Sequence, residues 1–254
     1  MLDSVQTAAY REQGFVAPAF RFPDDRLAEM RAAVDRMIDA HPEWTDFCPQ
    51  LLAQDPLWLE IASTPELLNV IAQLVGGDIV LWGSGYFGKP AGVGKETPWH
   101  QDGEYWPIKP LATITAWVAL DAATSENGCL RVIPGSHRAG RLFEHGRDDG
   151  DHLTLNQVLG GDVFDEAEAV DVTLGPGEIS LHDVYMIHGS LPNRSTKRRA
   201  GVTFRYMPAS SQFDRALAAE QHARLGVPDI SKRPLYLLRG QDKSGLNDYR
   251  TDRR

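Results

Sequence analysis

The sequence predicts a mainly β fold with flanking helices, a double-sheet jelly-roll barrel with N-terminal helices packed on one sheet. Three observations predict it. Apolar residues recur at helical spacing twice before residue 77. Short β-branched and aromatic runs, punctuated by glycine and proline, fill residues 78 to 210. Within those runs the polar side chains fall at alternate positions, so they share strand faces that a barrel turns inward.

The elements follow in order. Tyr10 to Gly14 reads as the end of a short helix, with Gly14 as its stop. Asp24 to Ala40 spaces Leu27, Met30, Val34, Met37 and Ile38 along one face, and Asp24 is the expected cap. Thr64-Pro65-Glu66 opens a second helix with proline at its first position; Leu67, Leu68, Ile71, Leu74 and Val75 follow, and Gly76-Gly77 ends it. Ile79 to Trp82 and Tyr86-Phe87 read as strand broken by glycines, and Lys89 to Thr97 as a loop leading to Trp99-His100. Leu111 to Leu120 alternates Thr113, Thr115 and Trp117 with Ile114, Val118 and Leu120, giving one polar-aromatic and one aliphatic face. Cys129 to Ile133 is a short strand closed by Pro134-Gly135. Residues 138 to 170 are acidic and weakly periodic, an excursion expected to hold a helix or two. Ile179 to Ile187 and Ala200 to Met207 are further strands, and beyond Ser211 the chain reads as helical, then loose and charged. No repeat or linker divides residues 1–254, so a single domain is expected: helical to about 77, barrel from about 78 to 210, then a tail.

Composition narrows the function. The net charge of -9 over 254 residues argues against nucleic acid or an anionic membrane as partner and leaves a small molecule as the expected one. No run approaches the roughly 20 apolar residues of a membrane helix. Cys48 and Cys129 stand far apart in no metal-binding pattern, which implies free thiols in a reducing compartment. Met1 to Gly14 has no apolar stretch of a signal peptide, and Thr251 to Arg254 is no peroxisomal address, so the expected location is the cytoplasm.

The candidate site starts at His100-Gln101-Asp102. On a strand, His-x-Asp puts both side chains on one face. A further histidine completes a two-histidine, one-carboxylate set, which holds one face of six-coordinate iron(II) and leaves the other for a bidentate 2-oxo acid and dioxygen. His182 and His188 compete for the third place, sharing a strand face by parity. His188 is favoured because Gly189-Ser190 beside it leaves room for substrate. His137 ends a turn, His145 and His152 fall in the acidic excursion and are expected to be solvated, and His41 and His222 lie in helical stretches. The far carboxylate of a 2-oxo diacid needs a cation in a buried pocket, and arginine's fork suits it. Arg199, Gly201, Thr203 and Arg205 share one strand face, expected to point inward; Val202, Phe204 and Tyr206 share the apolar outer one. Arg194, Lys197 and Arg198 fall in the preceding turn and are expected to be solvated.

Pro98-Trp99-His100-Gln101-Asp102, Asn127 to His137, His188-Gly189-Ser190-Leu191-Pro192-Asn193-Arg194-Ser195 and Arg199 together resemble the phytanoyl-CoA dioxygenase family, from about Tyr10 to Met207. The resemblance implies a double-stranded β-helix (cupin-like) fold and dependence on iron(II) and 2-oxoglutarate. It implies His100, Asp102 and His188 as iron ligands, Arg199 as the 2-oxoglutarate arginine, and Ser190, Gln101 and Trp117 as cosubstrate contacts or supports. Halogenases of the family replace the carboxylate with a small residue, so Asp102 favours hydroxylation, with release of succinate and CO2; desaturation, epimerisation and ring formation stay open as alternative outcomes. Glu104-Tyr105-Trp106 follows the iron motif at the expected entrance, where aromatics beside a carboxylate suit an ammonium, and Arg205 suits a carboxylate or phosphonate. Together they suggest a small zwitterionic metabolite; the alternative is that Tyr105 and Trp106 pack the loop and Arg205 pairs with a buried acid. Two rival functions are a metal-dependent barrel enzyme that uses no 2-oxoglutarate and a catalytically silent binding protein on the same fold.

Overall fold

The computed structural model describes residues 1–225 and 227–251; Asp252 to Arg254, part of the C-terminal tetrapeptide considered above, lie outside them. Two antiparallel sheets face one another, the double-sheet jelly roll expected. The larger runs Phe15–Val16, Ile179–Asp183, Ile114–Ala119, Arg199–Pro208, Ile79–Lys89 and Tyr236–Arg239, with Phe47–Cys48 also paired to Ile79–Lys89. The smaller runs Val170–Val172, Leu130–Val132, His188–Ser190 and Thr97–His100.

The helices cover the outer face of the larger sheet. Helix Asp24–Ala40 buries Leu27, Met30, Val34 and Met37, and helix Pro65–Val75 buries Leu67, Leu68, Val70 and Ile71. These side chains form one core with Val118, Val202, Phe204 and Tyr206 from the sheet. Each fully buried aliphatic side chain there contributes about 1.5–3 kcal/mol, and Tyr206 satisfies its hydroxyl by donating to Ala62 O at 2.9 Å. Because strand side chains alternate, burying Val202, Phe204 and Tyr206 outward commits Arg199, Thr203 and Arg205 to the space between the sheets.

Four local expectations are corrected. Residues 79 to 89 form one continuous strand, Ile79–Lys89, which the glycines do not break. Bare backbone is needed there because neighbours press close: a Cβ on Gly88 would sit 2.2 Å from Thr45 O. Asp24 does not cap its helix; Pro23 holds that position and Asp24, the first helical residue, pairs with Arg21. The excursion forms a hairpin, His145–Arg147 with Gln157–Leu159, and a single 3-10 turn, Glu166–Glu168. The tail, after helix Arg215–Leu225, returns as strand Tyr236–Arg239 on the sheet edge.

Candidate active site

His100 and His188 face each other on adjacent strands of the smaller sheet. His100 Nδ1 bonds Pro98 O at 2.8 Å and His188 Nδ1 bonds Met186 O at 2.9 Å. A carbonyl only accepts, so each Nδ1 carries the proton and each Nε2 keeps its lone pair, turned toward the gap between the rings. The ring centroids are 4.2 Å apart. Burial pushes both imidazoles below their ordinary range, with Asp102 acting against it at His100 and the neighbouring histidines reinforcing it at His188. Neutral imidazole is the form that binds a metal.

Asp102 lies two residues past the strand end, in a turn, so only the histidine of His-x-Asp occupies the strand itself. Thr115 Oγ1 donates to its Oδ2 at 2.9 Å, and His182 Nε2 stands 3.5 Å from the same oxygen without hydrogen-bond geometry. Oδ1 lies 4.0 Å from His100 Nε2. Burial alone would raise the Asp102 carboxyl; contact with His182 and the charge of Arg205 outweigh it and hold the group well below the usual carboxylate range. His100, Asp102 and His188 each present one ligand atom within 4.8 Å of the others. Two neutral imidazole nitrogens and one ionised carboxylate oxygen converging on a cleft fit a divalent iron with an open face.

That cleft holds about 470 Å³ of space, open to solvent, and its walls include Thr97, Trp117, Ser190, Arg199, Thr203 and Arg205. Arg199 is buried, donating from Nε to Gly128 O at 3.0 Å and from Nη1 to Phe87 O at 3.2 Å, and no carboxylate pairs with it among the described residues. Burial lowers it to about 10, so it stays charged at neutral pH. Its guanidinium carbon lies 5.5 Å from the Trp117 ring, which fits because Gly201 has no side chain: a Cβ there would stand 2.1 Å from Trp117 Cζ2.

The phytanoyl-CoA dioxygenase family model matches residues 10–201, most of the chain. The chain belongs to the phytanoyl-CoA dioxygenase family. Among its relatives are a probable phytanoyl-CoA dioxygenase of Caenorhabditis elegans, 30% identical over 167 residues (62% of this chain and 53% of that one), and the ectoine dioxygenase of Sphingopyxis alaskensis, 26% identical over 256 residues (88% and 83%). The chain thus spans about half the length of some curated relatives and most of others. Solved structures sharing the fold include the non-heme monooxygenase ThoJ, with TM-score 0.74 and 24% identity over 96% of this chain and 87% of that one. EctD from S. alaskensis, determined with 2-oxoglutarate and 5-hydroxyectoine, has TM-score 0.68 and 24% identity over 84% and 78%.

Within this family member, the residues singled out from sequence divide into two groups. Ser190, Trp117, Arg199 and Arg205 border the cleft with the metal-type triad. Gln101, Glu104, Tyr105 and Trp106 do not. Gln101 is buried and ties loops together, donating to Tyr185 O at 2.8 Å and Arg141 O at 3.2 Å and accepting from Phe143 N at 2.7 Å. Glu104 accepts from Gln157 Nε2, and Trp106 packs edge-on against Trp82 at 4.5 Å. The aromatic side chains that border the cleft are Phe87 and Trp117, not Tyr105 and Trp106. His145, expected in solvent, is buried and accepts from Gln101 N at 2.9 Å, because the hairpin folds back onto the metal turn. Arg198 is likewise not free in solvent: it bridges Asp121 and Asp35, both at 2.9 Å. Sequence reasoning missed Thr115 as a partner of Asp102, although its parity with Trp117 was the available signal. It also missed Arg233 and the buried Lys89, which no pattern marked. Among the described residues no helix is long and apolar enough to cross a membrane.

Proposed function

We propose that the chain is an iron(II)- and 2-oxoglutarate-dependent dioxygenase that hydroxylates an unactivated C–H bond of a small polar metabolite, with succinate and CO2 as coproducts. The observation carrying this reading is the coexistence, in one cleft, of a convergent nitrogen–oxygen–nitrogen set and a buried arginine with no acid partner among the described residues. His100, Asp102 and His188 would hold the iron, which, with 2-oxoglutarate and dioxygen bound, supplies the oxidant for C–H cleavage.

The protein's own residues do the positioning. Pro98 O and Met186 O fix the two imidazoles, and Thr115 fixes the carboxylate. Arg199, beside Ser190 and Trp117, receives the distal carboxylate of 2-oxoglutarate, its orientation set in advance by Gly128 O and Phe87 O. Gln101 acts as a support, holding the metal turn against the segments at 141–143 and 185. The shared core of helices and sheet supports one domain over residues 1–254. The ectoine dioxygenase, aligned over 83% of its length, supports a small polar substrate.

Anaerobic titration of the purified chain with iron(II) and then 2-oxoglutarate tests the reading. Saturable binding of both, with a visible metal-to-oxoacid absorption band, is expected. Iron binding without 2-oxoglutarate binding would favour a barrel enzyme that uses no oxoacid, and binding of neither a silent binding protein. A metabolite screen for substrate-stimulated succinate release then identifies the substrate.

A further inference from the structure

We infer that the substrate carries an oxyanion, a carboxylate or phosphoryl group, gripped between the guanidinium groups of Arg205 and Arg233. This rests on the proposed function and specifies its substrate class. Arg205 pairs in register with Gly83 on the neighbouring strand. A Cβ on Gly83 would lie 3.2 Å from Arg233 Nη1 and 3.6 Å from Arg205 Cδ, so the two side chains converge over bare backbone. Each also lies over an indole: Arg205 is 5.2 Å from the Trp106 ring and Arg233 5.9 Å from the Trp82 ring. The two rings are packed edge to face, which fixes the platform beneath the pair.

What the pair lacks is an acid. Among the described residues neither arginine forms an ion pair. Arg205 Nε is buried with no hydrogen-bond partner, and Arg233 has a long contact from Nη2 to Pro49 O, 3.3 Å. Asp229, the acid bordering the same outer cleft as Arg233, accepts from Ser231 N at 2.9 Å. Asp102 is a carboxylate whose charge interacts with that of Arg205, and in the proposed function it would be committed to the metal. Burial, then the charge of Arg205, lowers Arg233 to about 10, so Arg233 remains a cation at neutral pH. Two like charges drawn out of water beside each other are costly unless an anion joins them.

Charge balance points the same way. Iron(II), the Asp102 carboxylate, dianionic 2-oxoglutarate and Arg199 sum to zero, which leaves the charges of Arg205 and Arg233 unanswered. Arg205 borders the metal cleft, and Arg233 borders a second cleft with about 770 Å³ of space whose wall includes Gly83, the strand partner of Arg205. An oxyanion held between them would anchor a substrate whose remainder extends toward the metal, with paired N–H donors suited to two oxygens.

The test uses small probes on protein loaded anaerobically with iron(II) and saturating 2-oxoglutarate, so that the Arg199 position is filled. Thermal unfolding is followed against propionate, methylphosphonate and uncharged propionamide at matched ionic strength. Saturable stabilisation by an anion and none by propionamide is expected, and the stronger anion separates carboxylate from phosphoryl recognition. Arg205→Gln and Arg233→Gln should each weaken the anion response at least tenfold while leaving 2-oxoglutarate affinity within about twofold. Arg205→Lys, which keeps the charge, should retain part of it. Equal anion responses in wild type and both Gln variants, or no anion response in wild type with 2-oxoglutarate bound, overturns this inference alone. Failure of wild type to bind 2-oxoglutarate overturns the proposed function, and this inference with it.

Discussion

Thr115 Oγ1 donates to Asp102 Oδ2 at 2.9 Å, which leaves Oδ1 as the carboxylate atom beside His100 Nε2. One oxygen is thus committed to the protein and the other to the metal position. Thr115→Val keeps the shape and removes the donor. Iron(II) affinity should fall roughly 10- to 100-fold, the usual effect of deleting a hydrogen bond to a metal ligand, while Thr115→Ser should stay near wild type. Metal titration checks this, and unchanged affinity in the valine variant would show that the bond does not orient Asp102.

Arg199 donates to Gly128 O and Phe87 O and forms no hydrogen bond or ion pair with His100, Asp102 or His188. Arg199→Ala should therefore weaken 2-oxoglutarate by roughly 10- to 150-fold, the equivalent of a charged hydrogen bond worth about 1.5–3 kcal/mol, with iron affinity nearly unchanged. Calorimetric titration of both ligands separates the two. Equal 2-oxoglutarate affinity in the variant would remove Arg199 from the cosubstrate site.

Gly201 leaves the space that Trp117 occupies, since a Cβ would stand 2.1 Å from Trp117 Cζ2. Gly201→Ala must push the indole away from Arg199. A stability loss of about 1–3 kcal/mol is expected from overpacking, together with weaker 2-oxoglutarate binding. Urea unfolding and cosubstrate titration measure the two effects; a variant as stable as wild type would mean the ring can move freely.

Lys89 is buried, with its Nζ donating to Lys95 O and standing 3.5 Å from Ser190 O. Burial, then the charge of Arg199, lowers it from 10.5 to about 6. Between those values the unfolded chain holds the extra proton, so Lys89 makes stability rise with pH from about 6 to 10.5 and imposes its full penalty below 6. The slope is at most about 1.4 kcal/mol per pH unit. Lys89→Met should flatten it. Chemical unfolding at pH 6.5, 7.5 and 8.5 gives the comparison, and parallel slopes for the two proteins would rule out the lysine as their source.

Much of this was written locally in the chain. Helical spacing and a proline at the first helical turn marked Asp24–Ala40 and Pro65–Val75, and two-residue alternation assigned Arg199, Thr203 and Arg205 to the inner face before any contact was known. Those features are visible because they depend on neighbours in sequence and on one buried face per element. The glycines of Ile79–Lys89 misled because their cause is a neighbouring segment, 2.2 Å from an imagined Cβ at Gly88, and not a local turn.

The sequence by itself determined the barrel, the His100–Asp102 motif and the choice of inward arginines, because periodicity and short-range spacing encode which side of a strand is wet. Only the tertiary structure decided that His188 joins Asp102 and His100 in a set within 4.8 Å, and that His182 stands behind the carboxylate. It alone brought His145 in from an acidic loop and set Arg233 beside Arg205. Those relationships join strands and loops far apart in the chain, and their distances exist only once both sheets close around a common interior.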